Sequence, residues 1–196
     1  MNRLHRWYCR SDRWKRTLEN EIFPWALNGL DLGSEILEIG PGPGLTTHWL
    51  HHRYPAITCL EVDPTLARSL RERVANANVK VQVGDAAAMP FPQRSFSAVL
   101  SFTMLHHVPS SDLQDRLFAE AYRVLKPGGV FVGIDSAWSL RMWVFHFHDT
   151  MVTVDPSQLP GRLEAANFND VVVEARGGRF RFCARRPAEQ AGQSFD

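Results

Sequence analysis

The stretch Ile36-Leu37-Glu38-Ile39-Gly40-Pro41-Gly42-Pro43-Gly44-Leu45 decides the fold. A short apolar strand runs into three glycines at alternate positions, and a helix carrying Thr46, Trp49 and Leu50 is predicted to follow. Glycine has no Cβ and tolerates positive φ, so the backbone can approach a ligand closely at such a turn. The N–H groups at the start of the next helix would favour a ribose or a carboxylate. The pattern is typical of a nucleotide-binding loop, although a plain strand-to-helix connection is the alternative.

The composition is that of one ordinary globular domain. The chain has 196 residues, a formal net charge of +1 and a pI near 7.8, so charge gives no reason to expect nucleic acid or an anionic membrane as a partner. The cysteines, Cys9, Cys59 and Cys183, are far apart, which argues against a disulfide framework or a zinc knuckle and favours the cytoplasm. The basic, aromatic N-terminus lacks the apolar run of a signal peptide or a membrane span.

Residues 1–34 precede the first predicted strand. Ser11 and Asp12 are suited to cap a helix with one apolar stripe, and Pro24 is expected to kink or end that helix. The stripe consists of Trp14, Leu18, Ile22 and Trp25. We expect this region to be a helical cap over the edge of a sheet. The alternative is a substrate lid built from the aromatic residues Trp7, Tyr8, Trp14 and Trp25.

A second strand, residues 57–63, ends in acidic residues and is followed by a helix that opens at Pro64. Glu61 lies 21 residues after Gly40 (61 − 40 = 21). In dinucleotide-type folds this is the position from which a carboxylate accepts hydrogen bonds from two ribose hydroxyls. Asp63 is a competing candidate, but it is better suited to cap the helix at Pro64.

The rest of the chain continues to alternate strands and helices. A third strand over residues 80–86 contains Gly84-Asp85, and Asp85 at its carboxyl end is placed to accept from an amine such as adenine N6 or to serve as an ordinary turn residue. Strands are also predicted over 96–101 and 130–135, with a helix between them that begins at a capping box of Ser111 and Gln114 and stops at a tight turn, Lys126-Pro127-Gly128-Gly129.

The C-terminal third departs from this alternation before resuming it. Residues 136–158 form an aromatic insertion after a strand end, which would place it over the ligand side of an open sheet. A helix over 159–168 and two strands joined by Arg176-Gly177-Gly178 follow. We therefore predict three regions: a helical cap at 1–34, one domain at 35–186 with a lid at 136–158, and a disordered tail at 187–196.

The motifs, taken in order, resemble the class I S-adenosylmethionine-dependent methyltransferases of small-molecule type. Four matches carry the resemblance: Glu38 to Gly44, Glu61, Gly84-Asp85, and Arg123 to Gly129. The final Gly-Gly hairpin resembles the reversed strands six and seven of this family. The resemblance covers about residues 35–185 and implies an α/β, Rossmann-like, doubly wound sheet of seven strands. Its implied order is 3-2-1-4-5-7-6, with strand seven antiparallel, between two layers of helices.

The resemblance also implies S-adenosyl-L-methionine as methyl donor and S-adenosyl-L-homocysteine as product. Glu61 would take the ribose hydroxyls, Asp85 the adenine N6, and Glu38 would help to organise the methionine amino end. Ser101 would begin the segment after strand four that lies beside the methionine group. All positions carried over as cofactor-binding are Glu38, Gly40, Gly42, Gly44, Glu61, Asp85, Ala86 and Ser101.

Methyl transfer from a sulfonium requires orientation and removal of water more than a nucleophilic side chain. If the acceptor is a hydroxyl, a neutral imidazole could take its proton. The candidates are His106, His107, His146 and His148. For each of them a packing or hydrogen-bonding role is favoured, and no catalytic base is assigned.

No metal site is predicted. In the segment His146-x-His148-Asp149, two histidines at i and i+2 on a helix would point to different faces. Magnesium-assisted members of the superfamily carry an acidic residue just after strand four, whereas this chain has Phe102-Thr103.

The aromatic residues between 138 and 147 suggest an apolar or aromatic small-molecule acceptor, such as a quinone, phenol, polyketide or lipid, methylated at oxygen or carbon. A hydrophobic cover packed on the sheet would explain them equally well. The sequence is compatible with a homodimer, and a nucleic-acid partner is not expected. A nicotinamide-dependent oxidoreductase is an alternative, but the glycine spacing is G-x-G-x-G and no catalytic Tyr/Lys pair is evident. The second alternative is a non-catalytic protein that binds S-adenosylmethionine.

Overall fold

Seven strands form one sheet in the order β3-β2-β1-β4-β5-β7-β6. The structure is a computed structural model that describes residues 11–75, 78–146 and 149–189. β7 is antiparallel to both of its neighbours, and the pairs formed by β1 to β5 are parallel. This confirms the fold class and strand order expected from the sequence. The strands are β1 Glu35–Ile39, β2 Ala56–Glu61, β3 Val79–Val83, β4 Phe96–Phe102, β5 Leu125–Ser136, β6 Asn169–Arg176 and β7 Arg179–Arg185.

Helices cover both faces of the sheet. They are α1 Asp12–Thr17, α2 Phe23–Leu27, α3 Leu45–Leu50, α4 Pro64–Arg73, α5 Ser111–Val124, α6 Leu140–Phe145 and α7 Leu159–Ala165. A π-helical segment, Leu18–Ile22, joins α1 to α2, and a 3₁₀ turn, Leu105–His107, follows β4. Each helix in the described ranges is too short or too polar to cross a lipid bilayer.

The N-terminal helices lie on a face of the sheet and not over its edge. Ser11 caps α1 by accepting a hydrogen bond from the Trp14 N–H at 3.2 Å. The helix does not end at Pro24, because the π-helical segment precedes it and the Phe23 N–H donates to the Leu18 carbonyl five residues back. This wider turn accommodates a proline that lacks an N–H and would crowd the preceding carbonyl.

Two buried cores lie on opposite sides of the sheet. One unites α1, α2, α3 and α4 with the strands through residues that include Trp14, Leu18, Ile22, Phe23, Leu50, Leu70 and Leu100. The other unites α5 and α7 with the opposite face through residues that include Leu117, Phe118, Phe131, Leu159, Leu163 and Phe182. These cores hold the strand ends in place, and the strand ends position the site.

Three local predictions are corrected by the structure. Ser110, not Ser111, caps α5, because its hydroxyl accepts from the Leu113 N–H at 3.2 Å. Gln114 is buried and donates to two carbonyls, so it does not complete a capping box. β5 begins at Leu125, before the predicted turn and not at Val130; the turn residues interrupt the strand, since its register with β4 shifts between Leu125 and Val130 and Gly128 has φ +79°. The hairpin between β6 and β7 is confirmed, since Gly177 and Gly178 both have positive φ.

Candidate functional site

A cavity of about 390 Å³ opens where the first four strands end. Its wall contains Gly40 after β1, Glu61 at the end of β2, Asp85 after β3 and Thr103 after β4. In open α/β sheets ligands bind at the carboxyl ends of the strands, and the volume is in the range of about 300–1,000 Å³ for small-molecule sites. The cavity is therefore placed and sized for a cofactor or a substrate.

The glycines of the loop after β1 have different tasks. All three have positive φ: +63° at Gly40, +52° at Gly42 and +81° at Gly44. A Cβ at Gly42 would meet no atom within 4 Å, whereas one at Gly40 would lie 3.0 Å from Met104 Cγ. Gly44 is not on the cavity wall, and a Cβ there would lie 2.5 Å from Leu70 Cδ1. Gly40 and Gly42 thus shape the cavity, while Gly44 lets α4 pack against the loop.

Glu61 connects the glycine loop to the end of β2. Its Oε2 accepts from the Gly42 N–H at 3.0 Å, and its Oε1 accepts from the Asp63 N–H at 3.1 Å. A carboxylate has about four lone-pair positions, so it can accept further hydrogen bonds from a ligand in the cavity. Asp63 instead caps α4 by accepting from Thr65 and Leu66 N–H groups at 2.8 and 3.2 Å.

Asp85 and Ala86 also line the cavity. Asp85 is exposed, and its Oδ1 accepts from the Ala87 N–H at 2.8 Å. This bond orients the carboxylate and leaves its other oxygen available for a donor. Their roles toward adenine stay predictions.

Besides Gly44, two predicted cofactor residues, Glu38 and Ser101, lie outside the cavity wall. Glu38 is 2% exposed, and its Oε2 accepts from the Thr47 hydroxyl at 2.6 Å and from the Cys59 thiol at 3.5 Å. Burial raises the pKa of Glu38 to about 7, against the hydrogen bonds that lower it. Ser101 is fully buried inside β4, because that strand continues to Phe102; the segment that follows the strand begins at Thr103.

The histidines occupy two positions relative to the cavity. His107 lines the wall, whereas His106 and His146 are buried and do not. His106 Nδ1 lies 2.5 Å from Asp135 Oδ1, and its Nε2 lies 3.1 Å from His146 Nε2. His146 Nδ1 lies 2.8 Å from the Met142 carbonyl oxygen. A carbonyl only accepts, so His146 carries its proton on Nδ1, and an ionised Asp135 likewise assigns a proton to His106 Nδ1.

His106 and Asp135 shift each other's pKa in opposite directions. Burial alone would lower the pKa of His106, but the charge and hydrogen bond of Asp135 outweigh it and raise the pKa. Burial would raise the pKa of Asp135, but the charge and hydrogen bonds of His106 and the Ser136 N–H lower it. The two residues therefore form a buried ion pair between the turn after β4 and strand β5.

The second part of the cavity wall is mainly apolar. It is formed by side chains from the N-terminal helices, the segment after β4, and α5, which are Trp14, Leu18, Phe102, Met104, Val108, Leu113 and Leu117. From the insertion at 136–158 only Asp149 and Thr150 line the cavity among the described residues. Trp138 and Trp143 are 64% and 50% exposed and point elsewhere, so these two aromatic residues do not form the wall. Trp7, Tyr8 and His148 lie outside the described residues.

The comparisons with known proteins agree with this geometry. A family model described as a methyltransferase domain matches residues 37–133, which contain the glycine loop, Glu61 and Asp85. Over these residues the resemblance to the class I S-adenosylmethionine-dependent methyltransferases is confirmed. The predicted oxidoreductase alternative is therefore not retained.

The chain is similar to several named methyltransferases. It is 36% identical over 107 residues to the demethylmenaquinone methyltransferase of Tropheryma whipplei, a match that covers 53% of this chain and 42% of that protein. It is 36% identical over 109 residues to the erythromycin 3''-O-methyltransferase of Saccharopolyspora erythraea, with 52% and 34% covered. A solved S-adenosylmethionine-dependent methyltransferase from Methanosarcina mazei matches in fold with a TM-score of 0.65 and 20% identity, over 83% of this chain and 96% of that one. The matches span less than half the length of these two sequence relatives.

The cavity fits S-adenosylmethionine, the methyl donor of the matched family. The Glu61 carboxylate stands on the wall with accepting capacity left over, which suits a vicinal diol. The open space at Gly42 would be filled by any Cβ, so backbone and ligand can come close there. The agreement between the cavity and the donor rests on these two features and not on the sequence match alone.

Thr103 and Met104 are two wall residues that sequence reasoning missed. Thr103 has φ +53° although it is β-branched, and its N–H donates to the Ile134 carbonyl at 2.7 Å. Such backbone is uncommon outside glycine and occurs often at functional sites. Met104, beside Gly40, is the other. A threonine and a methionine carry no local signal of this conformation, so only the structure could reveal them.

Proposed function

We propose that this methyltransferase moves a methyl group from S-adenosylmethionine to an apolar small molecule, at an oxygen or a carbon atom. One observation carries the proposal: a single cavity joins the polar positions Gly42, Glu61 and Asp85 to an apolar wall that includes Trp14 and Leu18. Donor and acceptor would then occupy two ends of one space, as a direct transfer requires.

The polar end of the cavity would hold the donor. Glu61 would accept from the ribose hydroxyls while it keeps its bonds to the Gly42 and Asp63 N–H groups. Asp85 would accept from the adenine amine, and Gly40 and Gly42 would give backbone access. Glu38 would act from behind the loop, since it is buried against Thr47 and Cys59.

The bound donor supplies a methyl group on a sulfonium, whose leaving group is already activated. The chain's own residues orient the acceptor and exclude water, which in the best intramolecular models accounts for about 7–11 kcal/mol. Trp14, Leu18, Leu113 and Leu117 would give the acceptor an apolar surface. Of the three histidine candidates that the structure describes, His106, His107 and His146, only His107 is on the wall, so it is the one that would contact the acceptor.

The names of two relatives support small-molecule acceptors, in one case at an oxygen atom. One relative is named for demethylmenaquinone and another for an oxygen of erythromycin. We propose quinones and phenols as the first acceptors to examine. A cytoplasmic location and a possible homodimer stay predictions from the sequence.

A transfer assay with a labelled methyl group tests the proposal. The purified protein would be incubated with labelled S-adenosylmethionine and hydroquinones or phenols with and without apolar tails, and products would be identified by mass spectrometry. We expect transfer that increases with the apolar area of the acceptor. Binding of S-adenosylhomocysteine without transfer to any acceptor, including those in cell extract, would instead support the non-catalytic alternative.

A pair of tryptophan variants tests the acceptor wall. Trp14→Ala removes a wall side chain and should raise the acceptor KM about 10-fold, the effect of losing roughly 1.4 kcal/mol of apolar contact. Trp25→Ala is the matched control, because Trp25 is half-buried in the same helical region but is not on the wall. Equal effects of the two variants on KM would contradict this assignment of the wall.

A further inference from the structure

The three imidazoles of His106, His107 and His146 lie together beside the cavity. One ring nitrogen from each can be chosen so that all lie within 4.8 Å of one another. The rings come from the 3₁₀ turn after β4 and from the end of α6, and His106 and His146 are 40 residues apart. Three imidazoles seldom meet by chance in a partly buried place, because each is a polar group that needs partners.

The second nitrogen of each buried ring is already assigned. His106 Nδ1 faces the Asp135 carboxylate, and His146 Nδ1 faces the Met142 carbonyl. Metal-binding histidines almost always donate their other N–H to a carboxylate or a backbone carbonyl, which fixes the tautomer and orients the ring. Both arrangements leave Nε2 as the atom that faces the neighbouring imidazole.

The spacing of the two Nε2 atoms is that of two ligands of one ion. They are 3.1 Å apart, and two nitrogens bound tetrahedrally to zinc would be about 3.3 Å apart. A straight N–H···N bond of this length would separate the ring centroids by about 5.4 Å, whereas they are 4.8 Å apart. The two nitrogens therefore do not face each other in line, and an oblique approach suits a shared ion.

We propose that His106, His107 and His146 bind a divalent transition-metal ion of the zinc type, with Asp135 as the positioning residue of His106. Imidazole ligands suit zinc and its neighbours in the transition series, whereas magnesium and calcium select oxygen ligands. The sequence expectation of no metal weighed the segment from His146 to Asp149 and the missing acidic residue after strand four, and it did not consider His106 and His107 together with His146.

The site is rigid before any ion arrives. The Val152 N–H donates to the His106 carbonyl at 2.8 Å, and buried Gln114 donates to the carbonyls of Leu105 and Val152. Three histidine ligands leave one position of a tetrahedral ion open to water or another oxygen donor. His107 also lines the cavity, so an acceptor hydroxyl could occupy that position. This last step rests on the proposed function, whereas the ion site does not.

A second group of histidines provides the control. His48, His51 and His52 lie together at the end of α3 and on the residues that follow it, away from the cavity. Surface histidines of this kind can bind transition metals weakly. The double variant His48→Gln/His52→Gln removes that possibility and leaves the buried cluster intact.

Cobalt titration of the chelator-washed protein tests the proposal, because tetrahedral cobalt has strong visible absorption. We expect one tight equivalent with these bands, displaced by zinc. His146→Gln and His107→Gln should each abolish the bands and weaken zinc binding about 100-fold or more, and Asp135→Asn should weaken it about 10–100-fold with the bands kept. The His48→Gln/His52→Gln variant should bind like the native protein.

The result that overturns the proposal is equally specific. Absence of the bands in the native protein, or their loss in the His48→Gln/His52→Gln variant together with retention in His146→Gln, would mean that the buried imidazoles are only a hydrogen-bonded network. Calorimetry with S-adenosylhomocysteine and far-UV circular dichroism check that each variant is folded. Cobalt binding without methyl transfer would support the ion site and contradict the proposed function. Methyl transfer without cobalt binding would support the proposed function and contradict the ion site.

Discussion

Two buried carboxylates in neighbouring regions of the sheet behave in opposite ways. Glu38 on β1 lies beneath the glycine loop against a hydroxyl and a thiol, and its pKa is raised to about 7. Asp135 on β5 faces His106, and its pKa is lowered despite burial that would raise it. Both are almost inaccessible, at 2% and 1% exposure. The comparison teaches that the partner, and not the depth of burial, decides the charge of an acid in this protein.

The largest effect is expected at the paired acid. Asp135→Ala leaves a buried imidazole and the N–H groups of His106 and Ser136 without their acceptor. Loss of one partner from a buried ion pair costs about 3–5 kcal/mol of unfolding free energy. Urea unfolding in metal-free buffer measures this loss, and Asp135→Asn, which keeps an accepting oxygen, should lose less. If Asp135→Ala costs under about 1 kcal/mol, the ion pair does not stabilise the fold.

The next effect is a pH dependence at the unpaired acid. Because the pKa of Glu38 rises from 4.5 unfolded to about 7 folded, the folded state binds its proton more tightly. The resulting stability is complete below pH 4.5 and is lost as the pH rises through about 7, a change of about 3 kcal/mol.

Urea unfolding of the native protein and of Glu38→Gln across this pH range measures the contribution. The difference in unfolding free energy between the two proteins should change steadily with pH, because glutamine does not titrate. A constant difference would mean that Glu38 has an ordinary pKa in the folded protein.

A third effect concerns the cofactor. Glu61→Ala removes the acceptor for the ribose hydroxyls and also the anchor of the Gly42 N–H. Two hydrogen bonds to a charged group are lost, so we expect S-adenosylhomocysteine to bind about 100-fold more weakly by calorimetry. Asp155→Ala, which removes a carboxylate that accepts from the Ser157 N–H outside the cavity wall, is the matched control and should leave affinity within a few fold. Affinity that falls equally in both variants would assign Glu61 a structural task only.

The smallest effect is expected at the exposed end of the cofactor site. Asp85→Ala removes a single acceptor for the adenine amine from a solvent-exposed position. We expect about 10-fold weaker binding of S-adenosylhomocysteine, since one charge-assisted bond is lost and water competes for it. The same titration with an analogue that lacks the adenine amine should show no difference between native protein and variant. A full 10-fold loss with that analogue would place the amine elsewhere.

The sequence predicted the region around the glycine loop well because its signals are local. Gly40, Glu61 and Asp85 each follow a strand of apolar residues, and parallel strands bring their carboxyl ends to one edge. The final hairpin followed from its local turn residues, whereas the strand order was implied by the family resemblance. Local rules failed where a neighbouring residue supplied the contact, as at Ser110, which caps α5 in place of Ser111.

The histidine cluster could not be predicted in the same way. Asp135 lies 29 residues after His106, and His146 lies 40 residues after it. No sequence periodicity connects the turn after β4 to the end of α6. The exposure of Trp138 and Trp143 could not be predicted either. Aromatic residues in an insertion give the same sequence signal whether they form a substrate lid or a hydrophobic cover.

The sequence by itself therefore determined the alternation of strands and helices and the position of the glycine loop, since these depend on residues close to one another along the chain, and the resemblance to the family supplied the strand order. Only the tertiary structure decided that Glu38 lies behind the loop without a cation while Asp135 has His106 beside it. The physical reason is that a side chain's charge and ligands depend on what packing brings within a few ångströms, and long-range packing leaves no local pattern in the sequence.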